Sequence, residues 1–168
     1  MKAAAAVLAF CALALPGCGQ QPGSRSERPS DAWHAQTNGP ATGERYDLSR
    51  DEGRGHTLRK HVGRADDELR ERLEREPNIS AASTWTDRAT AEDTVAAALR
   101  AERGRIESWR QRGERRPNLA LHFDAGHEIG RSLLRGAAQA VTCTQAVIVL
   151  RADGDGFYVL TTYPEARE

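Results

Sequence analysis

The sequence predicts an α+β domain: N-terminal helices followed by an antiparallel sheet, held together without disulfides. Three observations carry this. Apolar residues recur near helical spacing from Asp66 to Trp109, the period falls to two after Pro117, and only one cysteine, Cys143, remains in the part that folds. A chain of 168 residues has room for one domain with a real core and hardly for two.

The chain begins MKAAAAVLAFCALALPGCGQ, with one positive charge at Lys2, an apolar run from Ala3 to Leu15, then proline and small residues. This reads as a secretory signal, too short and too weakly flanked to span a membrane. Its end, LPGC, resembles a bacterial lipoprotein signal, which makes residues 1–17 a lipoprotein-type signal peptide and Cys18 the lipidated mature N-terminus. In the other reading the signal is plainly secretory and Cys18 is incidental. Residues 18–45 are mostly Gln, Pro, Gly, Ser and Arg and read as a flexible tether. Tyr46 and Leu48 are the first plausible anchors, so the domain is placed at 46–168. The expected location is outside the cytoplasm, either membrane-anchored through an N-terminal lipid or secreted.

A helix is predicted from Asp66, because Asp66 and Asp67 favour a helix N-terminus, Leu69 and Leu73 lie one turn apart, and Pro77 stops the run. NISAASTW reads as a loop that offers Ile79 and Trp85 to the core. Thr90 is the expected cap of a second helix, with Asp93 at the capping-box position. Val95, Leu99, Ile106 and Trp109 then recur at near-helical spacing, with Gly104 as the place where this helix bends or divides. Beyond Pro117, Leu119, Leu121 and Phe123 alternate; DAG is a turn; Ile129 and Leu133 resume the alternation. Val141 to Leu150 is apolar on both faces and reads as one central strand. ADGDG is a hairpin turn rather than a calcium loop, since it lacks the full ligand spacing and a closing glutamate. Phe157 to Tyr163 is the returning strand.

Of the three cysteines, Cys11 leaves with the signal and Cys18 is the lipid site, so Cys143, set in AVTCTQAVIVL, is expected to be a buried, inert thiol. Neither a disulfide framework nor a thiolate metal site can be built. The 24 basic and 24 acidic residues cancel, so the whole chain is no polycation that coats nucleic acid or an acidic membrane. All the basic residues except Lys2 and Lys60 are arginines, whose planar forks suit phosphate. Arg100 to Arg116 holds seven arginines and three glutamates, and it either faces an anion or is a solvated helix face.

Histidine exchanges protons near neutral pH without special tuning, and there are five. His34 lies in the tether. His122 and His127 flank a turn; they could be ligands or bases, but the surface-residue reading is preferred, since loop histidines are common. His56 and His61 lack the spacing and the neighbouring glutamate of a zinc-protease helix, so no metal site is assigned to them. At the other end, YVLTTYPE finishes the last strand. Strict alternation puts Phe157, Val159, Thr161 and Tyr163 on one face and Thr162 on the other, which describes either a core giving way to a cleft or an ordinary exposed strand end.

Four blocks, GHTLRKHVGRADDELRERL, ISAASTWTDRATAE, IGRSLLRG and VIVLRADGDGFYVLTTYP, resemble the bacterial CdiA C-terminal toxin domain with a ribonuclease A-like fold. The resemblance covers roughly residues 53–164. It implies a metal-independent endoribonuclease without cofactors, a monomer that acts as a toxin between bacteria, with RNA as substrate and a cognate immunity protein as partner. By position it implies His61, Arg72, Thr161 and Tyr163 as catalytic residues, with His56 as a secondary candidate. Periodicity does not separate Arg72 from Arg70, since each borders the Leu69 and Leu73 face; the resemblance selects Arg72. Action would then lie inside a target cell, with the membrane contacted only through the N-terminal lipid. A reading from another class is a non-catalytic envelope lipoprotein that binds a protein partner or RNA on the same scaffold.

Overall fold

The computed structural model describes residues 43–113 and 115–166. The signal peptide at 1–17, Cys18, His34 and nearly all of the tether lie outside the described residues. A short 3-10 turn, Leu48–Arg50, leads into α1 (Thr57–His61), α2 (Asp66–Arg75), β1 (Ala81–Trp85), α3 (Arg88–Ala101) and α4 (Arg103–Arg110). Strands β2 (Leu119–Asp124), β3 (Gly130–Leu134), β4 (Val141–Cys143), β5 (Gln145–Asp153) and β6 (Gly156–Glu165) follow. They form two three-stranded antiparallel sheets, in the orders β1-β3-β4 and β2-β5-β6. Among the described residues, Cys143 is a free, buried thiol, and no helix is long and apolar enough to cross a membrane.

The apolar faces of α3 and α4, with Val95, Leu99, Ile106 and Trp109, pack on Leu121, Ile148, Leu150, Phe157 and Val159 from the second sheet. A smaller cluster joins Leu69 and Leu73 of α2 to Ala82 of β1 and Leu133 of β3. Each fully buried Leu or Ile contributes about 1.5–3 kcal/mol, so α2 is held to the first sheet chiefly by its two leucines.

Five expectations change. The NISAASTW segment contains a strand, not only a loop: residues 81–85 pair with β3, from Ala81 opposite Leu134 to Trp85 opposite Gly130. Its small residues do not alternate, and four of its five are buried, so no period of two is visible. The second helix is capped by Asp87, whose carboxylate accepts the Thr90 backbone N–H at 2.7 Å. Its division falls at Glu102 rather than Gly104. The run from Val141 to Leu150 is two strands, because the chain crosses from one sheet to the other at Thr144.

The fifth change shapes the site. Leu150 pairs with Val159, but Val149 pairs with Thr161, so Leu160 is an extra residue in β6. Beyond this bulge Thr162 opposes the core residue Ile148 and is fully buried, its hydroxyl donating to the Val147 carbonyl at 2.8 Å. Thr161 and Tyr163 therefore lie on the face opposite Phe157 and Val159 instead of sharing it.

The segment before α1 is hydrogen-bonded along the bulge. The Val159 N–H donates to the Asp51 carboxylate at 2.8 Å, the His56 N–H to the Leu160 carbonyl at 3.2 Å, and the Thr162 N–H to the Thr57 hydroxyl at 3.0 Å. The Tyr46 hydroxyl also donates to Asp51, at 2.6 Å. Burial, reinforced by the Asp51 charge, pushes the Tyr46 phenol far up, so it remains a donor. Gly55 passes so close that a Cβ there would sit 2.7 Å from the Val159 and Leu160 carbonyl oxygens.

Backbone carbonyls cannot swing aside as a flexible side chain does. Gly55→Ala is therefore expected to cost about 1–3 kcal/mol, measured as a lower urea midpoint with an unchanged slope. An unaltered midpoint would show that this contact is not the close packing described.

Candidate active site

Five residues are too few for a stable isolated helix, so α1 depends on its surroundings. Glu52 supplies part of this by accepting the backbone N–H groups of Leu58 and Arg59 at 2.9 and 3.0 Å. These are donors that a helix N-terminus otherwise leaves open. With the Thr57 and His56 contacts to β6, this fixes the helix whose last residue is His61. On α2, Leu69 and Leu73 face the small core and Arg72 emerges beside them. Arg70 instead reaches the Ala138 carbonyl at 3.4 Å and does not line the cavity, so the fold separates the two arginines that periodicity left equal.

His61, Arg72, Thr161 and Tyr163 line one open cavity of about 640 Å³, and His56 lines it too. The His61 and Tyr163 rings are stacked, with centroids 5.4 Å apart and planes at 29°. The His56 ring lies 6.0 Å from His61. Asn78, Ser80, Ser83, Ser132, Gln145 and Glu165 complete the polar wall. None of these was singled out from the sequence, where isolated polar residues carry no local pattern.

His61 is buried, with 5% exposure. Its Nδ1 lies 3.2 Å from the Ser83 carbonyl and 3.4 Å from an Arg72 guanidinium nitrogen, and the two contacts demand opposite tautomers. A carbonyl only accepts, and the Ser83 contact is the shorter. The proton therefore sits on Nδ1, Arg72 is a neighbouring charge rather than a donor, and Nε2 keeps its lone pair. Burial, then the Arg72 charge, lower the His61 pKa to about 3, with His56 and Lys60 adding to the effect and the Ser83 carbonyl opposing it. At neutral pH the ring is an uncharged base. The His56 pKa is also lowered, first by burial and then by Lys60, Arg59 and Arg72.

Tyr163 moves the other way: burial, then the Glu165 charge, raise its pKa and keep the phenol protonated. The Thr161 hydroxyl oxygen is buried with no hydrogen-bond partner among the described residues. Such an orphan costs stability until something bonds to it. Arg72, 15% exposed, has its Nε 3.4 Å from Glu76, which orients the guanidinium without enclosing it. His127 bonds within its turn, while His122 meets Glu165 at 3.2 Å on the outer side; neither histidine lines the cavity. Among the described residues, no group of three or more His, Cys, Asp or Glu is placed to hold a metal ion.

A family model for the bacterial CdiA-CT RNAse A domain matches residues 55–164. Among solved structures, a chain of a CdiA-CT/CdiI complex from Y. kristensenii is similar at 30% identity and a TM-score of 0.61, with 67% of this chain and 100% of that chain covered. No curated protein matches the chain.

The depressed His61 pKa has a definite sign in stability. Above about pH 6.5, the ordinary histidine value, His61 is neutral folded or unfolded and contributes no pH dependence. Below it the unfolded chain takes up a proton that the native site refuses until pH is near 3, so stability falls as pH falls through that window. The difference in unfolding free energy between wild type and His61→Gln should change by up to about 1.4 kcal/mol per pH unit there. Nitrogen NMR should find the ring neutral, with its proton on Nδ1, at pH 5. A ring that titrates near 6.5 would contradict this environment.

Proposed function

Since the chain belongs to the bacterial CdiA-CT RNase A domain family, we propose that it is an endoribonuclease toxin that cuts RNA by attack of a 2′-hydroxyl on the adjacent phosphorus. The observation that carries the reading is the cavity where a neutral histidine, an arginine, an unpartnered threonine hydroxyl and a protonated tyrosine meet. Enzymes that separate an acid from a base set their pKa values apart by environment, and His61 and Tyr163 are shifted in opposite directions.

In this mechanism His61 Nε2 takes the proton of the 2′-hydroxyl. The O2′–P bond forms and the P–O5′ bond breaks, leaving a 2′,3′-cyclic phosphate and a 5′-hydroxyl end. Arg72 holds the non-bridging oxygens, whose charge grows in the transition state. Thr161 donates a hydrogen bond from its free hydroxyl to the same phosphate, and Tyr163 gives its phenolic proton to the departing O5′; the proton taken up by His61 then returns through solvent to the tyrosine, restoring both groups. His56 is a secondary group that adds to the polar wall. The mechanism needs no metal or cofactor. Because a positive charge on His61 is disfavoured next to Arg72, arrival of the anionic phosphate raises the histidine's proton affinity when it must accept one.

The chemistry would be toxic in any cell that holds RNA, so a cognate immunity protein is the proposed partner; the similar chain from Y. kristensenii is found in a CdiA-CT/CdiI complex. Export, and anchoring through a lipid on Cys18, belong to the same proposal and rest on the N-terminal sequence.

Purified protein incubated with RNA in excess EDTA should produce cyclic phosphate ends. His61→Ala and Tyr163→Phe should lower kcat by about 10²–10⁴. Arg72→Lys keeps the charge but loses the fork, and a fall of about 10²–10³ is expected. Equal cleavage by wild type and His61→Ala would remove the mechanism, and no binding or cleavage of RNA would favour a scaffold that recognises protein alone.

A further inference from the structure

Part of the cavity wall has no role in the bond cleavage. Asp124, Gln145 and Glu165 stand opposite one another across β2, β5 and β6, in one row on the face that carries Thr161 and Tyr163. Gln145 and Glu165 also line the cavity. Glu165 is two residues beyond Tyr163 on that face, about 7 Å further along the strand. The first sheet gives the same cavity an apolar surface: Ala81 and Leu134 are paired across β1 and β3, and Ile79 precedes them. Leu134 is 39% exposed, unusual among the large apolar side chains described.

A carboxylate is out of place in a cavity that holds phosphate alone, because it only accepts hydrogen bonds and repels an anion. Glu165 has one oxygen 3.2 Å from His122 Nδ1, and its other oxygen is left without a hydrogen bond among the described residues. Gln145 points its amide nitrogen at Asp124, 3.4 Å away, which leaves its carbonyl oxygen as an acceptor. Acceptors beside an exposed apolar side chain suit a nucleobase, since unstacked bases of single-stranded RNA are read through the ring face and the Watson–Crick edge. Of the four RNA bases, only guanine has two adjacent donors on that edge, N1–H and the N2 amino group. Adenine and cytosine set one amino group beside a ring nitrogen that accepts, and uracil sets one N–H between two carbonyls. A carboxylate takes both guanine donors and meets a lone pair on each of the other bases.

We propose that Glu165 selects guanine as the base of the departing nucleoside, its carboxylate accepting N1–H and one N2 proton, with Leu134 against the ring and the Gln145 carbonyl open to the second N2 proton. This rests on the ribonuclease reading, in which Tyr163 faces the departing O5′, and deepens it by naming the preferred step: cleavage on the 5′ side of guanosine. Glu165 lies beyond Tyr163 on the same face, so the base it reads is one nucleoside's reach from the scissile phosphate. It decides which phosphodiester is cut, while His61, Arg72, Thr161 and Tyr163 do the cutting. His122 is a positioning residue that holds the carboxylate from outside the cavity.

The test is binding of 2′-deoxy dinucleotides, which lack the attacking hydroxyl and survive the measurement. Deoxyuridine is followed by deoxyguanosine, deoxyinosine, deoxyadenosine or deoxycytidine. The full-length protein should bind the guanosine form about ten- to a hundredfold more tightly than the adenosine and cytidine forms. Inosine keeps N1–H but lacks the N2 amino group, and should fall between them. Glu165→Gln, which sets an amide N–H against the guanine donors, should lose the preference. In cleavage of the matching ribodinucleotides, the ratio of kcat/KM for guanosine over adenosine should fall by the same factor. If Glu165 acted only through its charge beside Tyr163, the variant would change every rate by one factor and keep the ratio, which would overturn the proposal. Equal binding of the four dinucleotides by wild type, or a guanine preference that survives in Glu165→Gln, would overturn it as well. Cleavage by wild type is scored separately: its absence on every ribodinucleotide would count against the ribonuclease reading, whereas the comparison of bases in binding decides the role of Glu165.

Discussion

The extra residue at Leu160 in the last strand is the constraint on which the cavity depends. Before it, β6 sends Phe157 and Val159 into the main core. After it, Thr162 takes the inward position, and Thr161 and Tyr163 turn to the other face. A strand without the bulge would bury the pair and expose Thr162. The bulge also leaves backbone groups to be satisfied from outside the ladder, and the segment from Asp51 to Thr57 does this. The same hydrogen bonds that meet this requirement dock α1, and α1 ends on His61. One irregularity therefore aims both halves of the cavity at each other.

The electrostatic character follows from that docking. Placing a buried imidazole near a guanidinium would be costly if both were charged, so the histidine gives up its proton and the arginine keeps its charge. Glu76 sits between Arg72 and Lys60, and although burial works against its charge, the two cations hold its carboxyl below the usual range. The groove between α1 and α2 is thus lined by more cations than carboxylates in a chain of no net charge. The anionic substrate proposed above would meet that asymmetry, which would favour encounter at the cleft over the rest of the surface.

Much of the fold is legible in the sequence wherever one local period dominates. α2 follows from its aspartates, its two leucines and Pro77, and β2, β5 and β6 from their alternation or apolar runs. β1 is not legible, because AASTW gains its strand character from pairing with β3, some fifty residues away. The crossing at Thr144 and the bulge at Leu160 also leave no local mark, since both are decided by which sheet the chain must reach. The cavity residues divide in the same way. His61, Arg72, Thr161 and Tyr163 were named through extended family blocks, while alternation alone would have put Thr161 and Tyr163 on the core face. Glu52, which caps α1, and Ser83, whose carbonyl sets the His61 tautomer, act through geometry that no spacing encodes.

The most direct test of the account is a crystal structure of the protein with a bound 2′-deoxy dinucleotide. The account predicts the phosphate within hydrogen-bond reach of the Arg72 guanidinium, Thr161 Oγ1 and the Tyr163 hydroxyl, with His61 Nε2 facing the C2′ atom that carries the hydroxyl in RNA, and with the β6 bulge unchanged. A phosphate bound away from these three groups, or a cavity that must lose the bulge to admit it, would contradict the account.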